Sequence, residues 1–352
     1  MIDLKYTVKD FKSENEVRWC AGCGDFAILN AIQKTMAGMG IPREQFAIIS
    51  GIGCSSRFPY YMSTFGFHTI HGRAAAVASG VKLTNPDLSV WVISGDGDSM
   101  AIGGNHFIHF IRRNIDMNLI LFNNRIYGLT KGQYSPTTDR GFKTKTSPVG
   151  TVEVPFIPGQ LVIGARGTYF ARTIDSSMKL SQSVFQSAEK HKGASIVEVL
   201  QNCVIFNHGI HSALTDRAHS ADRQLILEHG KPMLFGHENQ KGLVFEKGKL
   251  KVAVVGENGV TIDDILVHDE TEVDPILHLA LINMQLPDFP VALGVIRSVS
   301  ALVYNTEMVA QIDKVQQNRK ITCVDELLNS GNTWEVEGNE PVAQECPELR
   351  FK

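Results

Sequence analysis

The sequence predicts an α/β protein: a mostly parallel sheet flanked by helices, with a C-terminal extension. Three observations carry that expectation. Short β-branched runs alternate with helical stretches along the first two hundred residues. The runs are apolar throughout instead of alternating, as strands covered on both faces must be. Glycine clusters follow the runs, where ligands of such sheets sit, outside the carboxyl ends of the strands.

In chain order, a helix is expected over Asp25 to Met39, then a strand over Phe46 to Ser50, ending in Gly51-Ile52-Gly53. Arg73 to Thr84 is a second helix. Ser89 to Ser94 is the next strand, running into Gly95-Asp96-Gly97, with a helix over Gly103 to Arg113 behind it. Strands at Asn118 to Phe122, Thr168 to Ile174 and Ser195 to Leu200 follow, with a helix at Ser181 to Lys192. From about Gly209 the texture changes. His208 to Glu238 is polar and rich in histidine, and Leu243 to Lys251 suggests a hairpin around Glu246-Lys247-Gly248. Asp274 to Gln285 and Thr306 to Asn318 are plausible helices. These changes predict a boundary near residue 205: residues 1–205 form the cofactor-binding domain, and 206–352 form a lid or a docking surface.

Composition narrows the function. The chain has 352 residues, 43% hydrophobic and 20% charged, and a formal net charge of -3. That is ordinary for a globular protein and gives no electrostatic footprint for nucleic acid. No apolar run approaches the roughly 18 residues of a membrane span, and Met1 to Lys5 lacks a signal-peptide pattern. A cytoplasmic protein is expected.

Ser94-Gly95-Asp96-Gly97-Asp98 lies between a strand and a helix, and Asn123-Asn124 ends the next strand. Glycines let a backbone approach a diphosphate, and a following helix N-terminus favours the anion. A carboxylate and an amide oxygen are hard ligands suited to Mg²⁺. Adjacent parallel strand ends, about 4.8 Å apart, let Asp96 and Asn124 face one crevice. A plain βα turn also uses Asp and Gly, but it does not require the second strand to end in Asn-Asn.

Six cysteines are present. Cys20-Ala21-Gly22-Cys23 precedes a helix, Cys54 sits in a glycine-rich loop, and Cys203 follows a strand. A C-x-x-C pair with two distant cysteines can supply four thiolates to one [4Fe–4S] cluster. A structural zinc or unrelated core cysteines are the alternatives, though zinc ribbons usually carry a second C-x-x-C.

Taken together, Gly95-Asp96-Gly97-Asp98, Ile102-Gly103-Gly104-Asn105-His106, Arg113-Asn114, Asn123 through Gln133 and Ser135-Pro136-Thr137 resemble the β subunit of 2-oxoacid:ferredoxin oxidoreductases, of the 2-oxoglutarate synthase type. The likeness runs from about Trp19 to Asn207. It implies a thiamine-diphosphate-binding (pyrophosphate-type) domain in which Asp96, Asn124 and the carbonyl of Ile126 hold Mg²⁺. Ile52, Gly53, Cys54, Ser55, His71, Gly95, Gly97, Asp98, Gly128 and Leu129 would line the cofactor. Trp19-Cys20-Ala21-Gly22-Cys23-Gly24 and Gly51 through Ser56 resemble the family's cluster-binding segments, which makes Cys20, Cys23, Cys54 and Cys203 the cluster ligands. Cys323 and Cys346 match nothing in it.

The implied reaction is CoA-dependent oxidative decarboxylation of a 2-oxoacid to an acyl-CoA and CO₂, reversible to carboxylation, with electrons passed through the cluster to ferredoxin. His71 is expected to orient the substrate, although a His before a helix is often only structural. Arg57 and Lys131 would suit a second carboxylate, which favours 2-oxoglutarate over pyruvate or branched-chain oxoacids. Either could instead be a solvated loop charge. Lys is common in the family where Arg57 stands, and the exchange keeps charge but alters geometry. Thiamine enzymes use a glutamate to activate the cofactor, from a second domain for which this chain has no room. An α subunit supplying that glutamate and the CoA site is therefore expected, in a heterodimer or higher oligomer. The rivals are a non-oxidative thiamine-dependent decarboxylase subunit with silent cysteines, and a cluster-bearing electron-transfer subunit whose Gly-Asp-Gly loop is vestigial.

Overall fold

The computed structural model describes residues 5–335; Cys346 lies outside them. The chain divides after Asn305 into a large unit and a small one. The large unit runs through α1 (Asp25–Ala37), β1 (Phe46–Ser50), β2 (Phe65–His68), α2 (Ala74–Thr84), β3 (Ser89–Gly95), α3 (Asp96–Met100), α4 (Gly104–Arg113) and β4 (Met117–Asn123). It continues through α5 (Pro158–Gly164), β5 (Tyr169–Ile174), α6 (Met178–Lys190) and β6 (Ala194–Leu200). Two four-residue helices, α7 (Ser212–Thr215) and α8 (Ser220–Arg223), precede β7 (Gln224–Ile226) and β8 (Leu234–Phe235). Then come β9 (Lys241–Glu246), β10 (Lys249–Val254), α9 (Ile276–Ile282) and β11 (Val291–Ser298).

Eight strands form one sheet in the order β2-β1-β3-β4-β6-β5-β11-β7, parallel throughout except where β11 runs against β5. The expected mostly parallel α/β fold is present, and its five anticipated strands fall within a residue or so of their expected bounds. The boundary expected near residue 205 lies inside this unit, because β7 and β11 come from beyond it and complete the same sheet. A three-residue strand and one eight-residue strand, separated by a hairpin and a helix that do not join this sheet, present no pattern that ties them to it. The anticipated hairpin is β9–β10, antiparallel, with β8 as a third strand.

Side chains alternate across the sheet and divide the core in two. Ala47 and Ile49 face Ala74, Ala75 and Ala78 of α2 and Phe107, Phe110 and Ile111 of α4. Phe46 and Ile48 face Ile28, Ile32 and Met36 of α1, in a layer that α6 joins through Val184, Phe185 and Ala188. Full burial stabilises each such large side chain by roughly 1.5–3 kcal/mol. Continuously buried β1, β4 and β6 make the sheet a rigid floor, and loops rise from its carboxyl edge.

The small unit begins at Thr306. Its described part holds most of α10 (Tyr304–Gln317), near the expected bounds, and α11 (Val324–Leu328). Among the described residues no helix is long and apolar enough to cross a membrane.

Candidate functional site

Strands β1, β3, β4 and β6 are consecutive neighbours in the sheet, so four sequence-distant loops leave its carboxyl edge side by side. They begin at Gly51, Asp96, Asn124 and Gln201. Between the first three lies a cleft of about 560 Å³. Its walls include Ile52, Gly53, Cys54, Ser55, His71, Gly95, Asp96, Gly97, Asp98, Asn124, Ile126, Gly128 and Leu129. Every residue expected to line the cofactor or hold Mg²⁺ is thus brought to one cavity.

Asp96 is buried, and burial pushes its carboxyl up to about 6 against two opposing hydroxyl hydrogen bonds. Ser135 Oγ donates to its Oδ2 at 2.5 Å and Thr137 Oγ1 at 2.6 Å. Thr137 also stands 3.0 Å from Asn123 Oδ1, while Asn123 Nδ2 donates to Glu198 Oε1 at 2.7 Å. Glu198 in turn accepts from Arg172 Nε at 2.7 Å, and both are buried. A polar chain therefore runs from an ion pair in the sheet to the carboxylate at its edge. Asn124 Oδ1 accepts from the Ile126 N–H at 3.1 Å, an Asx turn that fixes the amide oxygen on the cleft wall. Asp96, the Asn124 oxygen and the Ile126 carbonyl are a hard-oxygen set fit for Mg²⁺ beside a diphosphate.

Asp98 lines the cleft and also ties its rim together. Its carboxylate accepts from Ser94 Oγ at 2.6 Å, Ile52 N at 3.1 Å and Gly72 N at 2.7 Å, joining the loops after β1 and β2 to the end of β3. Gly51 packs against that carboxylate so closely that a Cβ would overlap it, and a Cβ at Gly97 would overlap the Tyr127 ring. The helix after Gly95 is only the five-residue α3, so Gly95-Asp96-Gly97 shapes the floor mainly through backbone approach.

A second cleft of about 540 Å³ shares Ile52, Gly53 and Leu129 with the first and contains Arg57, Arg18 and His68. Arg57 Nε donates to the Tyr61 hydroxyl at 3.1 Å. The guanidinium thus stands beside the cofactor cleft rather than in it. Lys131 lines neither cleft. It is exposed, in a turn with φ of +75°. His71 lines the first cleft from its exposed rim.

The thiols of Cys20, Cys23, Cys54 and Cys203 are all free. A Cβ built on Gly128 would lie 3.4 Å from Cys54 Sγ and 3.7 Å from Cys203 Sγ, so glycine leaves room for both sulfurs. Burial pushes Cys23 up and Cys54 up to about 12, and the charges of Asp25 and the neighbouring thiols add to both shifts. Positive charge among such sulfurs would favour their thiolate forms, and four thiolates fit a [4Fe–4S] cluster. Among the described residues no three His, Cys, Asp or Glu side chains converge closely enough for a single metal ion.

Several contributors were given no role by sequence reasoning, although Ser135, Thr137 and Trp19 lie in segments that carry the resemblance. Ser135, Thr137, Glu198 and Arg172 act on Asp96 and Asn123 through tertiary contacts. Trp19 Nε1 donates to the Cys54 carbonyl at 2.7 Å, and Asn207 Nδ2 to that of Asn124 at 2.9 Å. For Arg172 and Glu198 the available signal was a single charge within each of two apolar strand runs.

Fold and cleft together define a thiamine diphosphate enzyme domain, and residues 51–199 match the family described as thiamine pyrophosphate enzyme, C-terminal TPP binding domain. The chain is 45% identical to the 2-oxoglutarate oxidoreductase subunit KorB of Mycobacterium tuberculosis, over 94% of this chain and 88% of that one. It is 43% identical to the 2-oxoacid:ferredoxin oxidoreductase 2 subunit beta of Aeropyrum pernix, over 56% of this chain and 64% of that one. Its structure superposes with a TM-score of 0.74, at 31% identity, on a 2-oxoglutarate:ferredoxin oxidoreductase from Magnetococcus marinus with 2-oxoglutarate, coenzyme A and succinyl-CoA bound. That match covers 95% of this chain and 98% of the other. The chain belongs to the β subunits of the 2-oxoacid:ferredoxin oxidoreductases, and is one subunit of an oxidoreductase complex.

Proposed function

We propose that this β subunit serves a cytoplasmic 2-oxoglutarate:ferredoxin oxidoreductase, which converts 2-oxoglutarate and CoA to succinyl-CoA and CO₂ and can run in reverse. One observation carries the oxidative part: Cys54 lines the cofactor cleft and shares the Gly128 wall with Cys203. A cluster on Cys20, Cys23, Cys54 and Cys203 would then adjoin the cofactor, within reach for electron transfer to ferredoxin.

Bound thiamine diphosphate supplies the carbanion chemistry at the keto carbon; the protein positions and polarises. Asp96, the Asn124 amide oxygen and the Ile126 carbonyl would hold Mg²⁺ beside the diphosphate. Gly95, Gly97 and Gly128 let the backbone close on it. His71 orients the substrate at the cleft rim. Arg57, steadied by Tyr61, lines the second cleft and would meet the distal carboxylate of a 2-oxoglutarate that extends into it from the first. Lys131 is at most an outer electrostatic contribution, being exposed.

An α subunit completes the site. Ile102 and Leu129 line the cleft yet remain 59% and 48% exposed, and Ile70 nearby is 67% exposed. Apolar groups at the mouth of a catalytic cleft mark a surface that a partner covers. That partner would bring the activating glutamate and the CoA site. The test is viologen-dye reduction by the co-purified α–β complex across several 2-oxoacids, with iron and sulfide analysis. CoA-dependent reduction strongest with 2-oxoglutarate is expected. Equal or better turnover of pyruvate overturns the substrate assignment, and iron-free active complex overturns the cluster.

A further inference from the structure

Gln201 follows the last residue of β6 and is 1% exposed. Its backbone N–H donates to the Asn123 carbonyl at 3.1 Å, which pins it beside the end of β4. From there the side chain reaches to the loop before α1. Its Nε2 lies 2.8 Å from the Asn202 carbonyl and 3.3 Å from Cys23 Sγ. The Asn202 carbonyl fixes the amide orientation, since an amide oxygen placed there would oppose a second acceptor.

The other end of the amide is unusual. Gln201 Oε1 is buried without a hydrogen-bond partner. An unsatisfied buried carbonyl costs about 1–3 kcal/mol, so an apolar side chain of similar length would pack here at lower cost. Stability does not account for a glutamine at this position. What the amide adds is a fixed N–H aimed at a cysteine sulfur. Asp25, two residues along the chain from Cys23, is also buried.

We propose that Gln201 is a tuning residue for electron transfer, whose N–H to Cys23 Sγ raises the reduction potential of the cluster. This rests on the assignment of Cys20, Cys23, Cys54 and Cys203 as cluster ligands. Reduction adds negative charge that spreads onto the ligating sulfurs, and an N–H dipole pointing at one of them stabilises the reduced state more than the oxidised one. The amide thereby contributes to the driving force with which electrons leave the cofactor.

The test is an EPR-monitored potentiometric titration of the anaerobically purified complex, wild type against Gln201→Met, which keeps the length and removes the N–H. A more negative midpoint at unchanged iron and sulfide content is expected. An unchanged midpoint at full iron content overturns the tuning role and leaves the cluster assignment standing. A wild-type complex without iron and labile sulfide overturns both. If the variant does not assemble, the wild type decides: with ¹⁵N in the glutamine side-chain amides, the reduced cluster should show a ¹⁵N hyperfine coupling, and its absence overturns the role.

Discussion

Thr137 holds Asp96 from the side away from solvent: its hydroxyl lies 2.6 Å from Asp96 Oδ2 and 3.0 Å from Asn123 Oδ1, and both carboxylate and amide are buried. A hydroxyl carries one proton. It donates to Asp96 when the carboxyl is ionised, and can turn to Asn123 when the carboxyl is protonated. The metal-binding form is the one this hydroxyl supports.

Thr137→Val keeps the shape and removes the donor. A lost hydrogen bond to a charged group is worth about 1.5–3 kcal/mol, so Mg²⁺-dependent binding of thiamine diphosphate should weaken roughly 10- to 100-fold. Calorimetric titration with the cofactor and Mg²⁺ measures it. An affinity equal to wild type would remove Thr137 from the site.

Gly97 faces the Tyr127 ring, whose hydroxyl donates to the Gly97 carbonyl at 3.3 Å. Gly97→Ala forces that ring aside, and overpacking of this kind costs about 1–3 kcal/mol. In the double variant Gly97→Ala/Tyr127→Leu the loss should be smaller than the sum of the two single losses. Urea unfolding of the four proteins completes the cycle. Strict additivity would mean that the methyl is accommodated elsewhere.

Much of this site is legible from local sequence. Gly95-Asp96-Gly97 and Asn123-Asn124 end strands that their own apolar runs declare, and parallel pairing of β3 with β4 brings the two ends together. Cys203 is harder, since only the insertion of β6 next to β4 carries it to the Cys54 loop. Thr137 and Ser135 lie in a long irregular loop, where no periodicity fixes which side chain turns inward. Gln201 reads as an ordinary polar residue after a strand. Lys131 is the converse case: its basic charge and closeness in sequence to Gly128 suggest a site residue, and it stands exposed in a left-handed turn, lining neither cleft. The sheet beyond residue 205 was hidden because β7 is only three residues long and β11 returns to the sheet after a hairpin and a helix that lie outside it.

Glu198 and Arg172 form a buried ion pair on adjacent strands, at 2.7 Å. Burial pushes the Glu198 carboxyl up, but the charge and hydrogen bond of Arg172, with the Asn123 amide, hold it below the ordinary range. Glu198→Gln leaves a buried guanidinium without its counter-charge and should destabilise the protein by about 3–5 kcal/mol. Arg172→Met/Glu198→Gln should lose less than the Glu198→Gln single variant. Denaturant midpoints at neutral pH test both, and a double variant as unstable as the single would mean that the pair's packing matters more than its charge.

His211 gives the fold an acid limit. Its ring is buried, and Nε2 lies 3.1 Å from the Asn123 carbonyl, which fixes the proton on that nitrogen. Burial first, then the charge of Arg125, lowers it to about 4, against the Asn123 hydrogen bond and the charges of Glu198 and Asp139. In the unfolded chain it titrates near 6.5. The unfolded state therefore binds the proton more readily, and the stability this residue contributes is full above pH 6.5 and lost as pH falls toward 4. The full loss is about 3 kcal/mol. Burial likewise lowers His191, His268 and His278, so the wild-type slope is a sum over several rings. Replacing His211 by Gln, which can still donate to the Asn123 carbonyl, should flatten part of the decline in urea midpoint between pH 6.5 and 4 and change little at pH 8. A variant whose midpoint falls as steeply as wild type would show that the His211 ring is already hydrated or protonated in the folded protein.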